Sequence, residues 1–123
     1  MSFRFASAFT AAFLCLIGLV MVFIPATYLD RTGIEVTDIA VFLQQRIGLV
    51  CWGWAALMLA FANIEPSPLR QRIALINIIM MTVLAGFAVY EWHQAIVGVN
   101  MLRLALGNMV IAGLYLSTLF HNG

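Results

Sequence analysis

Four long apolar runs, Ser7–Leu29, Ile47–Ile64, Ile73–Tyr90 and Met101–Phe120, fill most of the 123 residues, and charge is nearly absent inside them. Each approaches the ~20 residues an α-helix needs to cross ~30 Å of hydrocarbon. Backbone polar groups in lipid must be satisfied within the segment, which favours helices. The pattern predicts an all-α membrane protein, an up-down-up-down bundle of four transmembrane helices. Hydrophobic residues make up 64% and charged residues 9%. An average soluble domain carries about 25% charge, so a water-soluble fold would have little surface to offer. The spans use up the chain, and residues 1–123 read as one domain.

Every basic residue is arginine: Arg4, Arg31, Arg46, Arg70, Arg72 and Arg103. A net charge of +1 excludes a polybasic arm for nucleic acid or lipid headgroups. Arg4 before an apolar run resembles a signal peptide. The run exceeds the ~7–15 residues of a cleaved signal's apolar core and has no small-residue cleavage pattern. It reads as a retained first span. Cys15 and Cys51 fall inside spans at different depths, too far apart for a disulfide. Both read as buried, apolar cysteines.

Pro25 lies in the last turn of the first span and predicts a kink or fraying. Gly33 is placed to stop the helix. Beyond it, Ile39, Phe42, Leu43, Ile47 and Val50 recur at helical spacing. Thr37 or Asp38 can cap this stretch. It is either an interfacial helix or an extension of the second span reaching back to about Thr37. Pro66-Ser67-Pro68 forces a short turn, which makes spans two and three antiparallel neighbours. Glu91–Asn100 links spans three and four. Arg46 and Arg103 each open the second helix of a hairpin and are followed by small residues, a faint likeness compatible with duplication or with chance.

Arginines divide evenly between the two membrane sides. The terminal amine and the close Arg70/Arg72 pair tip the positive-inside balance. Both termini are therefore expected in the cytoplasm.

Polar groups gather at one face. Arg46 and Arg103 begin spans, Glu91 ends one, His93, Gln94 and Asn100 follow in the loop, and Asn108 lies below Arg103. The plainer reading is arginines that snorkel to headgroups or pair with Glu91. The sharper one is a pocket at the bundle mouth for an anionic or quinone-like headgroup, using Arg46, Glu91, His93, Arg103 and Asn108. At the opposite face, Asn77 and Ser117 are expected to hydrogen-bond between helices. Gly53, Gly107 and Gly113, with Ala56/Ala60 and Gly113/Ser117 at small-xxx-small spacing, are expected to pack the bundle or a partner subunit. Trp52, Trp54, Tyr28, Tyr90 and Trp92 read as an aromatic belt.

His93 and His121 fall on opposite faces, which excludes a haem held between them. No cluster has the ligand count of a metal site. Glu91 and His93, two apart, do not face each other on a helix. Neither a catalytic set, a metal nor a cofactor is expected.

Phe23-x-Pro25 closing the first span, Leu29, Gly33, and Arg46-x-Gly48 opening the second resemble small bacterial four-span proteins of the DoxX-like and uncharacterised-domain kind. The resemblance covers the whole layout but only about six identities. It implies a bacterial inner-membrane four-helix bundle, sometimes a subunit or partner of redox enzymes, with Arg46 important for structure. Small multidrug exporters are similar in length and span number. They depend on a carboxylate in the first span, and this first span has none. Two functions follow as expectations. One is a non-catalytic accessory or assembly subunit of a larger membrane complex, in contact with a protein partner or with copies of itself. The other is a small binder or carrier of a lipophilic ligand such as a quinone or lipid.

Overall fold

The computed structural model describes residues 2–121, and among them the regular structure is entirely helical. The order is α1 (Phe3–Phe23), α2 (Pro25–Arg31), α3 (Asp38–Ala60), α4 (Pro68–His93) and α5 (Asn100–His121). All but α2 are long and apolar enough to cross a membrane. Apolar side chains such as Leu16, Val50, Leu57, Ile76, Phe87 and Leu106 are exposed on each of these four helices. A soluble monomer rarely shows so continuous an apolar surface.

Short polar residues set the helix starts by accepting orphan amide protons. Ser2 Oγ accepts from Phe5 N–H at 3.1 Å and Thr37 Oγ1 from Ala40 N–H at 3.1 Å. Ser67 Oγ accepts from Arg70 N–H at 3.3 Å, with Pro68 at the first helical position. The Thr37 cap leads directly into α3, so the stretch before the second span is an extension of one helix.

Pro25 breaks the first run outright. It has no amide proton and its ring opposes the preceding turn. α1 therefore stops at Phe23, Ile24 leaves helical geometry (φ −132°, ψ 54°), and Pro25 opens α2. The expected single span over 7–29 is two helices. α4 likewise extends through His93, so Glu91 and His93 sit in its last turn and the linker shortens to 94–99.

The two hairpins end on the same device. At α2, Gly33 adopts φ +82°, Ile34 N–H donates to Leu29 O and Gly33 N–H to Asp30 O. This double closure requires a left-handed residue after the helix, as the sequence placed Gly33. At α4, Ala95 takes that position with φ +59°, while Ile96 N–H donates to Glu91 O and Ala95 N–H to Trp92 O. The turns touch, since Gly98 N–H donates to Thr32 O at 2.7 Å.

α1 pairs along its length with α3, α4 pairs with α5, and α1 against α5 joins the two hairpins. α3 and α4, expected as close neighbours, meet through long side chains. Trp54 Nε1 donates to Asn77 Oδ1 at 3.1 Å, and Asn77 Nδ2 approaches Met58 Sδ at 3.2 Å. Those contacts lie toward one end, with Phe3, Ala6, Met58, Ala74, Ile111 and Tyr115 in the main core. Toward the other end Ala85, Ala88 and Ala105 form a separate small cluster confined to α4 and α5. The bundle is thus packed across all four long helices at one end. At the other it is held by the two touching turns.

Candidate functional site: a polar cleft between α2 and α5

The looser end contains a cleft of about 480 Å³ between the end of α1, α2 and the first turns of α5. Ligand sites commonly span roughly 300–1,000 Å³. Its polar lining is Thr27, Tyr28, Arg31, Thr32, Asn100 and Arg103; Val20, Ile24 and Leu104 supply the apolar wall. A groove between α4 and α5 is larger, about 550 Å³, but Thr82 is the one polar side chain among its lining residues. Chemistry, not size, singles out the α2/α5 cleft.

Its geometry follows from the local sequence. Pro25 restarts the chain as α2, which carries Tyr28 and Arg31 to the cleft. The Gly33 turn then brings α2 against the 94–99 linker. Asn100 Nδ2 donates to Arg31 O at 2.8 Å, so the elements bearing Arg31 and Arg103 are tied directly together. Thr32 Oγ1 turns back onto Tyr28 O at 3.0 Å and Leu29 O at 3.1 Å. Both arginine side chains are exposed. Among the described residues no carboxylate oxygen comes within 4.0 Å of either guanidinium. By contrast, Arg46 lies over the Phe42 ring at 4.4 Å and Arg70 over the Phe3 ring at 4.9 Å.

Tyr28 belongs to α2, outside the four long helices. Burial pushes its phenol up to about 12, with Cys51 adding to the rise. A raised value keeps the proton on, so the phenol remains a donor until pH climbs through about 12.

The pocket expected from the sequence is redistributed. Arg103 lines the cleft. Arg46 does not, being engaged on the exposed face of α3. Glu91 and His93 end α4 outside it, and among the described residues no arginine lies within 4.0 Å of the Glu91 carboxylate. Asn108, half-buried two turns into α5, lies below it. Thr27, Tyr28, Arg31 and Thr32 were missed as site residues, and Asn100 was grouped with the polar residues of this face but not as a binding residue. Pro25 was the available signal: a break before it frees Pro25–Arg31 to form a short helix of their own.

At the opposite end, Asn77 is buried and bonds to Trp54, Met58 and its own helix at Ile73 O, 2.9 Å away. Ser117 is not its partner; Ser7 and Tyr115 form another interhelical bond, 3.0 Å between Oγ and Oη. Trp52 Nε1 donates to Cys15 O at 3.2 Å, so Trp52 and Trp54 are both interhelical donors. Gly107 does pack: a Cβ there would meet the Phe13 ring at 2.5 Å. Gly53 and Gly113 face open space. α1 and α3 approach closely at Gly18 and Gly48, where a Cβ on Gly18 would lie 2.9 Å from Gly48 O. Cys15 is exposed and Cys51 half-buried, both free thiols; the expectation of two buried cysteines fails. His121 ends α5, and its side chain lies outside the described part.

Compared with known proteins, the chain matches no family model, no curated protein and no solved structure.

Proposed function

We propose that this chain is a multi-pass membrane protein that binds a lipophilic ligand, a lipid or a quinone, in the α2/α5 cleft. The observation that carries the reading is the union of an apolar wall with two arginines and four neutral polar side chains in one space. Apolar pockets with a few convergent polar groups are the usual form of a small-molecule site. The DoxX-like layout, a bacterial inner membrane and cytoplasmic termini belong to the same proposal. The test is the lipid and quinone content of the purified chain, measured by mass spectrometry after solvent extraction. Leu104→Trp, which fills the apolar wall, should lower that content severalfold, and Arg46→Gln should leave it unchanged. Equal content in wild type and Leu104→Trp removes the cleft reading.

A second reading, an accessory subunit or homo-oligomer, is favoured by Gly53, Gly86 and Gly113. Where a Cβ would stand, each meets open space. Outward small residues let another helix approach closely within a bilayer. Native mass measurement in gentle detergent tests this, and a lone monomer would refute it.

A further inference from the structure

We infer that the α2/α5 cleft selects the phosphate of an anionic membrane lipid, with Arg31 and Arg103 as its two cationic contacts. The inference rests on the lipophile cleft proposed above and narrows what occupies it.

Charge is the first argument. Two guanidinium groups line one cleft, with no carboxylate within 4.0 Å of either among the described residues. Like charges held near an apolar wall repel, and an anion between them removes that repulsion. A neutral quinone offers only carbonyl acceptors and leaves both charges uncompensated. Guanidinium forks match the paired oxygens of a phosphate. The other arginines with a resolved aromatic partner, Arg46 and Arg70, are already engaged.

The second argument is the order of the lining along the helices. Val20 and Ile24 precede Thr27, Tyr28 and Arg31, while Asn100 and Arg103 precede Leu104. On both walls the polar residues lie at the chain turn and the apolar ones toward the middle of the long helices. An amphiphile with its phosphate at the turns and its acyl chain along Val20, Ile24 and Leu104 fits that order. A soluble phosphate would leave the apolar wall unused.

The helix terminus itself contributes little direct bonding. Met101 N–H already donates to Gly98 O at 3.1 Å and Leu102 N–H to Val99 O at 3.0 Å. Recognition therefore falls to side chains. Tyr28 Oη, Asn100 Nδ2 and the Thr27 hydroxyl are the neutral groups beside the two cations, and Asn100 is held by its bond to Arg31 O.

The test uses the full chain in detergent, with native mass spectra recorded against phosphatidylglycerol, phosphatidylcholine, a decyl-tailed benzoquinone and inorganic phosphate. Phosphatidylglycerol should be retained about tenfold or more over phosphatidylcholine. That preference should vanish in the Arg31→Gln/Arg103→Gln double variant. Thr27→Glu adds a negative charge at an exposed position and should abolish the preference without removing either arginine. Circular dichroism and a monodisperse elution profile verify that each variant is folded. Equal retention of the two phospholipids, or displacement of phosphatidylglycerol by the quinone, overturns the phosphate assignment and leaves the lipophile cleft standing. Competition by inorganic phosphate at equal concentration overturns the lipid source. Failure to retain any of the three lipophiles overturns the cleft reading itself.

Discussion

Asn77 shows what one polar side chain does inside an apolar bundle. Its amide accepts from Trp54 on α3 and donates to Ile73 O and toward Met58. Interhelical hydrogen bonds in membranes average about 0.6 kcal/mol and reach about 1.7 kcal/mol. Asn77→Leu strands the Trp54 N–H and should destabilise the fold by about 1–2 kcal/mol, read as the denaturation midpoint in detergent micelles. Tyr115→Phe removes a bond to Ser7 and should cost about 1 kcal/mol. The cleft residues make a separate prediction about pH. Arginine stays charged and threonine and asparagine do not titrate, while Tyr28 keeps its proton to about 12. Retention of an anionic lipid should then be flat from about pH 5 to about pH 9. A clear step in retention within that range would overturn this assignment of the binding groups.

The two turns are near copies in geometry but differ in chemistry. Gly33 occupies a left-handed conformation and lies against the other turn, where a Cβ would be 2.4 Å from Gly98 N. Gly33→Ala therefore has to separate the turns and break the Gly98–Thr32 bond. We expect a loss of more than about 2 kcal/mol, with weakened lipid retention because α2 and α5 part. Ala95 already occupies a left-handed conformation, at a cost of about 1–2 kcal/mol for a residue with a Cβ. Ala95→Gly should stabilise by up to about 1 kcal/mol after the greater unfolded-state freedom of glycine is subtracted. Glycine should be the more stable residue at both positions, so the two inverse exchanges should have opposite signs in one thermal-melting experiment; equal signs would overturn the turn assignment.

Across the molecule, the four long helices use one face for packing and leave the rest apolar and exposed. Glycines separate the two kinds of surface. Gly48→Ala drives a Cβ to 2.9 Å from Met21 Cβ and 3.0 Å from Gly18 O, and should destabilise by about 1–3 kcal/mol. Gly53→Ala meets nothing within 4 Å and should fall within about 0.5 kcal/mol of wild type. Reversed magnitudes in equilibrium unfolding would mean that α1 and α3 pack through other faces. Membrane crossing has its own check: cysteines placed at Ile76 and Ile79, both exposed, should resist a membrane-impermeant maleimide in intact vesicles. Rapid labelling there would remove the bilayer from the proposal.

The four long apolar helices, their approximate bounds and the apolar surface were legible in the sequence because they depend on runs of neighbouring residues. So was the stop at Gly33, since a left-handed turn is a local demand. The separate helix α2 was not. Which helices touch depends on where small residues on different runs meet, and spacing within a run does not contain that information. Gly18 finds Gly48 while Gly53 finds nothing, although all three look alike along the chain. The same reason moved the candidate site. Arg46 and Arg103 both open helices in the sequence, yet the pairing of α1 with both α3 and α5 leaves Arg46 on an outer face and sets Arg103 beside Arg31 across the α2 break.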